Sequence, residues 1–277
     1  MSGFELEIDL YDSADQQPRM GFFTDTSLCI GCKACEIACK EWNDVPEADL
    51  VHRGMSMDNT GTLGADTWRH VAFIEERQPV ELGDDGAGGL RWLMSSDVCK
   101  HCTHAACLEV CPTGSLFRTE FGTVVVQEDI CNGCGYCVPA CPFGVIDKRK
   151  EDGRAWKCTL CYDRLKEDQT PACAQACPTH SIQFGELEDL RDRAQKRVGD
   201  LVEKGEAGAQ LYLADPSDGI GGAGAFFLLL DDPEVYGLPP DPKDTTAELP
   251  GIWKTTALAA GTLLASVLGA AFAGRSR

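Results

Sequence analysis

Sixteen cysteines fall into four runs of four, with none left over: Cys29, Cys32, Cys35 and Cys39; Cys99, Cys102, Cys107 and Cys111; Cys131, Cys134, Cys137 and Cys141; Cys158, Cys161, Cys173 and Cys177. The third run, ending in Pro142, reads C-x2-C-x2-C-x3-C-P, a spacing that holds iron–sulfur clusters. Three thiolates on one tight turn grip three corners of a cubane. Gly133 and Gly135 let the backbone wrap close, because glycine takes positive φ without steric cost. The fourth cysteine of such a run serves the other cluster of a pair, and with Pro142 behind it is expected to open a short helix. The spacing therefore predicts a partner run.

The chain supplies that partner and then repeats the pair. Run one keeps the same spacing with Lys40 in place of proline, so its helix is expected to continue through Trp42, whose ring is read as core packing. Run two is C-x2-C-x4-C-x3-C-P and run four is C-x2-C-x11-C-x3-C-P. Runs two and three are separated by 19 residues, the layout of a two-cluster ferredoxin unit, and run four is left to pair with run one across it. Exchange of the fourth cysteines then gives four [4Fe–4S] clusters: Cys29, Cys32, Cys35 with Cys177; Cys99, Cys102, Cys107 with Cys141; Cys131, Cys134, Cys137 with Cys111; and Cys158, Cys161, Cys173 with Cys39. A disulfide scaffold is a poor reading, since such scaffolds are short secreted chains. Structural zinc is the stronger alternative, but zinc sites usually join two distant C-x2-C knuckles. His101 and His104 lie inside run two and are read as outer hydrogen-bonding or surface residues. His52 and His70 have no ligand partner at useful spacing. Lys33, Lys40, Lys100 and Lys157 lie beside ligands, where they either raise cluster potentials or sit in solvent.

The 277 residues carry a net charge of −19. That excludes nucleic acid as a partner, which needs a basic footprint, and suits an acidic body that docks on other proteins. The elements expected to position the runs are short. Strands are expected at 19–25, 67–75, 90–94, 121–127, 180–184, 210–214 and 225–230, with 180–184 beside 21–24. An amphipathic helix is expected over 186–204 from the apolar stripe Leu187, Leu190, Ala194, Val198 and Leu201. Residues 45–64 and 81–89 read as polar loops. Residues 219–224 fit G-x-G-x-x-G, but a strand rather than a helix follows, so the segment reads as a hairpin loop and not a dinucleotide site.

The fold class expected is α+β: two nested ferredoxin-like two-cluster modules with small antiparallel sheets and short helices, plus one C-terminal transmembrane helix. The divisions are an arm over 1–18, an outer module over 19–95 and 143–238, an inner module over 96–142, a stiff proline-rich linker over 239–251 and a membrane anchor over 252–274. No signal peptide is expected, since residues 1–17 have neither a basic nor an apolar region. Residues 255–273 run for 19 positions without a charge, roughly 28 Å as a helix, enough for one bilayer core. Trp253 and Lys254 suit an interfacial anchor. Acidic Asp241, Asp244 and Glu248 precede the span and Arg275 and Arg277 follow it, which favours a C-terminus on the inside. Ala257, Gly261, Ala265, Gly269 and Ala273 recur every fourth residue, a spacing that lets a second helix approach.

With these residues in view, the chain resembles the iron–sulfur (beta) subunits of membrane-bound formate dehydrogenases, within the four-cluster subunits of molybdopterin oxidoreductases. The stretches that carry the resemblance are residues 21–35 around Cys29, Cys32 and Cys35; Cys39-Lys-Glu-Trp-Asn43; Cys99-Lys-His-Cys-Thr-His-Ala105; Cys134-Gly-Tyr-Cys137; and Lys157-Cys-Thr-Leu-Cys161. The resemblance implies a subunit without catalysis of its own. It implies a molybdenum or tungsten catalytic partner that oxidises formate, four clusters that relay electrons, and a membrane cytochrome b that passes them to quinone in anaerobic respiration. It also implies a single-pass membrane location with the soluble body on the extracytoplasmic face, exported folded with its partner. The same relay role for another molybdopterin oxidoreductase or a hydrogenase stays open, as do a soluble ferredoxin-like carrier and, from another class, a zinc-stabilised scaffold.

Overall fold

The computed structural model describes residues 18–47, 54, 57–77 and 89–274. The arm over 1–17, the loop over 81–88, His52, Arg275 and Arg277 lie outside the described residues. In chain order the main elements are β1 (Met20–Asp25), α1 (Ala34–Trp42), β2 (Arg69–Arg77), β3 (Leu90–Val98), α2 (Ala106–Glu109), β4 (Leu116–Arg118), β5 (Val124–Val126), α3 (Cys137–Ala140), β6 (Asp147–Lys148), β7 (Ala155–Trp156), α4 (Tyr162–Lys166), α5 (Ala172–Gln175), β8 (Ile182–Glu186), α6 (Leu187–Glu203), β9 (Gln210–Tyr212), β10 (Ala225–Leu229) and α7 (Leu249–Gly274).

The core is built on a four-stranded sheet in the order β8-β1-β10-β9. Phe22 and Phe23 are consecutive and both fully buried, so β1 has a covered surface on each face, as a near-continuous apolar strand requires. It pairs antiparallel with β8, with Phe22 opposite Phe184. On its other edge it pairs parallel with β10, with Phe23 opposite Phe226 and the two rings stacked at 5.3 Å. The sheet is therefore mixed, where only antiparallel sheets were expected. α6 covers it with Leu187, Leu190, Ala194 and Leu201, all buried, the stripe predicted for 186–204. β9 and β10 are antiparallel, and the glycine-rich 219–224 segment lies in their connection, as expected. The remaining sheets are antiparallel pairs: β2–β3, β4–β5 and β6–β7.

Three local expectations need correction. The strand over 121–127 is only β5, because Phe121 and Gly122 form the turn of a hairpin from β4, with Gly122 at φ +75°. The short helix near the fourth cysteine does not open there. α3 begins at Cys137 and ends before Cys141, so the third cysteine is helical and the fourth caps the turn. Trp42 is not core packing: its side chain is half exposed, its indole N–H donates to Asp163 at 2.7 Å, and the Arg164 guanidinium lies 4.2 Å from its ring. The proline-rich segment after 238 is fastened to the body. Tyr212 donates to the Pro239 carbonyl at 2.5 Å, the Asp244 N–H donates to Gly219 at 2.8 Å, Thr245 donates to the Ala140 carbonyl at 3.0 Å, and Thr246 bonds Glu109. Glu109 and Ala140 sit on the helices of runs two and three, so α7 starts directly beneath them.

α7 has 26 residues, roughly 39 Å of helix. Its stretch Gly251–Leu268 is apolar enough to cross a membrane, and none of it is buried against the other described residues. Thr255, Thr256, Thr262 and Ser266 each donate to a carbonyl of the preceding turn. Their hydroxyls are thereby satisfied inside the helix, as a lipid environment demands.

Candidate metal centres

All four runs begin with the same turn, and it fixes where the thiols point. The residue just before the second cysteine has positive φ in every case: Gly31 at +64°, His101 at +46°, Gly133 at +72° and Leu160 at +59°. This places two thiols on one side of the loop. A side chain on Gly133 would run into the Gly153 carbonyl, so glycine is needed there for space as well as for φ. His101 and Leu160 hold the same turn without glycine, at the steric cost of a left-handed non-glycine residue.

The runs come together in the crossed sense. One cavity is lined by Cys29, Cys32 and Cys35 with Cys177. A second is lined by Cys158, Cys161 and Cys173 with Cys39, and Asn43 donates across it to both Cys39 and Cys161, each at 3.8 Å. A third is lined by Cys99, Cys102 and Cys107 with Cys141. The Cys137 thiol has Cys131, Cys134 and Cys111 as its sulfur neighbours. The groups also stand in a row. Cys35 neighbours Cys173, Cys158 neighbours Cys99, and Cys107 neighbours Cys137.

Burial acts against ionisation at several of the enclosed thiols. Burial pushes Cys35, Cys161 and Cys137 up to about 11 and Cys107 up to about 12. Desolvation disfavours a lone thiolate, so these residues ionise only when a cation shares the cavity and takes the charge. Cys111 differs. Burial raises it too, but donors from Ser115, Leu116 and Thr113 outweigh that and bring it down to about 6.

Groups that favour anionic sulfur surround the cavities. Ser96 bonds Cys35 at 3.2 Å, Ser115 bonds Cys111 at 3.2 Å, the Leu160 N–H donates to Cys158 at 3.3 Å and the Ala155 N–H donates to Cys131 at 3.5 Å. Arg69 Nη2 donates to Cys173 at 3.3 Å and Lys157 Nζ to Cys99 at 3.6 Å, and both side chains are buried. Lys100 is buried as well, against Asp97. Lys157 and Lys100 are thus interior charges rather than solvated ones. Lys33 and Lys40 turn to Asn59, Pro46 and Asp66. His101 is fully enclosed and lines the third cavity. Its Nδ1 accepts from the Val124 N–H at 3.0 Å. Desolvation, with Lys157, Arg19 and Arg69 nearby, holds it neutral. The proton is then on Nε2, which has no partner among the described residues. His70 is a structural residue bonded to Asp58 at 2.8 Å.

This donor set fits iron–sulfur clusters. Each group offers four thiols, a buried N–H on His101 lacks an acceptor, and two buried cations face sulfur.

Two families, each described as a 4Fe-4S dicluster domain, match residues 28–115 and 90–187. The iron–sulfur subunit of the nitrate-inducible formate dehydrogenase of Escherichia coli K12 is 39% identical over 265 residues, 93% of this chain and 85% of that one. This protein belongs to the family of formate dehydrogenase iron–sulfur subunits. A member from Haemophilus influenzae is 42% identical over 83% of this chain and 71% of its own. The B subunit of the anaerobic dimethyl sulfoxide reductase of E. coli K12 is 36% identical over 66% of this chain and 80% of its own. Two dicluster domains imply four [4Fe–4S] clusters in a chain with sixteen cysteines, and the subunit transfers electrons. The zinc-scaffold alternative falls with this assignment.

Sequence reasoning missed Arg69 and Asn43, which are distant from or outside the cysteine spacing. It also missed the use of positive φ at His101 and Leu160, for which only the recurrence of C-x2-C was a signal.

Proposed function

We propose that this chain carries electrons from a molybdopterin catalytic subunit that oxidises formate to a membrane cytochrome b and quinone. The observation that carries this reading is the row of four cysteine groups, which leads from an exposed apolar end to the root of a membrane helix. At the first end Cys32 is exposed beside Ile30 and Ile37, each nearly 60% exposed, a surface suited to a catalytic partner. At the other, Thr245 and Thr246 tie the start of α7 to the helices of runs two and three. Formate is favoured over sulfoxide because the formate dehydrogenase relative aligns with 93% of the chain and the sulfoxide reductase subunit with 66%.

The ligands are assigned in the exchanged sets: Cys29, Cys32, Cys35 and Cys177; Cys39, Cys158, Cys161 and Cys173; Cys99, Cys102, Cys107 and Cys141; Cys111, Cys131, Cys134 and Cys137. They define an outer module from runs one and four around an inner module from runs two and three. When bound, each cluster supplies a one-electron couple whose potential follows charge, hydrogen bonding and burial. The chain's own residues set those conditions. Phe22, Trp68, Val98 and Leu160 line the second cavity and Val124, Phe143, Val145 and Ile146 the third, apolar walls that disfavour water; the donors named above stabilise thiolate, and the docked 239–251 segment holds the body at the membrane. In the anaerobically purified complex, formate should reduce the same cluster signals as dithionite in paramagnetic resonance. Clusters that dithionite reduces and formate leaves oxidised would assign the chain to another catalytic partner.

The body is placed on the extracytoplasmic face with the C-terminus inside, on the acidic residues before α7 and Arg275 and Arg277 after it. The small residues of α7, Ala257, Gly261 and Ala265 among them, suit close approach of a cytochrome b helix. A reporter fused after Arg277 should be active only in the cytoplasm. Activity confined to the outside would reverse the orientation.

A further inference from the structure

Arg69 and Lys157 are interior cations whose partners among the described residues are carbonyls and cysteine sulfurs, not carboxylates. Arg69 donates through Nη1 to the Ser96 carbonyl at 3.1 Å and through Nη2 to Cys173 Sγ at 3.3 Å, and its guanidinium covers the Phe22 ring at 5.0 Å. Lys157 donates to the carbonyls of Val124 and Cys158 and to Cys99 Sγ. Burying a charge without a counter-ion is costly, so each must find its negative charge in the cysteine groups. Each stands between two of them. Arg69 bonds Cys173 in the second cavity, and Ser96, whose carbonyl it also bonds, hydrogen-bonds Cys35 in the first. Lys157 lines the third cavity and bonds Cys99 there, and it also bonds the carbonyl of Cys158, a residue of the second. For the last step of the row, from Cys107 to Cys137, the inner faces of the described residues carry no corresponding buried cation against sulfur.

We propose that Arg69 and Lys157 are shared counter-charges, each raising the reduction potentials of two adjacent centres together. Because one cation serves two neighbours, it moves both potentials in the same direction and keeps the step between them shallow. The second centre, held by Cys39, Cys158, Cys161 and Cys173, feels both cations. The centre at Cys111, Cys131, Cys134 and Cys137 feels neither directly. This rests on the ligand sets proposed above.

The experiment is a redox titration, followed by paramagnetic resonance, of the anaerobically purified complex carrying Arg69→Gln or Lys157→Met. Iron content and the presence of four signals are measured first, and they test the ligand sets independently. Removing a unit charge a few ångströms from a centre in a protein interior should lower its reduced-to-oxidised ratio roughly ten-fold at a fixed solution potential, about 59 mV for a one-electron couple. The expected pattern is two shifted signals per variant, one of them common to both, with the fourth signal unmoved as an internal reference. Four intact signals at native potentials, or a shift confined to one centre, overturns the proposal. Arg69→Lys and Lys157→Arg keep the charge while changing the hydrogen bond. They should hold near-native potentials even if the neutral variants do not assemble. Charge-preserving variants that lose the ten-fold ratio would show that the bond to sulfur, not the shared charge, sets the potential.

Discussion

Cys177→Ala should lose about a quarter of the chain's iron, and the centre lost should be the one lined by Cys29, Cys32 and Cys35, 142 or more residues earlier in the sequence. Cys177 lines their cavity and not that of Cys158, Cys161 and Cys173. Cys39→Ala should do the reverse, removing the centre among run four and sparing its own neighbours. A cubane left with three protein ligands can persist by losing iron or binding water, so the readout is iron per chain together with the number of resonance signals. If Cys177→Ala instead empties the site of Cys158, Cys161 and Cys173, each run serves its own cluster and the crossed assignment fails.

Ending the chain at Glu248 should release the subunit from the membrane with its iron unchanged. The side chains described between Gly251 and Leu268 are exposed and make no packing contact with the described body, so their removal opens no cavity and exposes no core. What is lost is an apolar helix of about 39 Å, enough to hold a protein in a bilayer essentially irreversibly. The anchoring bonds of Thr245 and Thr246 remain in the shortened chain. Fractionation after carbonate washing is the measurement, with iron content in the soluble fraction and quinone-linked formate oxidation, which should fall more than ten-fold. A truncated chain that stays in washed membranes would show that partner subunits, and not α7, hold it there.

The chemistry of this protein was legible because a cluster needs its thiols at fixed spacings along the chain. Run three alone predicted a partner, and the structure brings Cys177 to the first cavity and Cys39 to the second. The helix over 186–204 and the pairing of β8 with β1 were equally plain, since periodicity and adjacency to the last run are local signals. The parallel pairing of β1 with β10 was not. Both are short apolar segments, about 200 residues apart, and nothing in either one states which edge it takes. Arg69 was invisible for the same reason: it lies 104 residues from Cys173, and only the fold turns it inward. Lys157 was visible as a neighbour of Cys158, but its burial depends on β5 passing over it. Trp42 shows the opposite error. An aromatic at the end of a cysteine helix suggests a core, yet the ring is held at the surface by Asp163 and Arg164.

The position of β1 at the centre of the main sheet also imposes an order of manufacture. Of the described strands it is the first to leave the ribosome, and its two neighbours in the sheet are β8 and β10. Until residue 229 has been synthesised, Phe22 and Phe23 have no complete surface to cover them, and Cys29 waits for Cys177. The inner cysteines, from Cys99 to Cys141, are by contrast complete within a stretch of 43 residues. The nascent chain can therefore receive iron in its middle before its ends have met, and the earliest cysteines to be translated are among the last to be enclosed. The apolar early strand therefore stays without its full cover through most of translation, when exposed apolar surface favours aggregation.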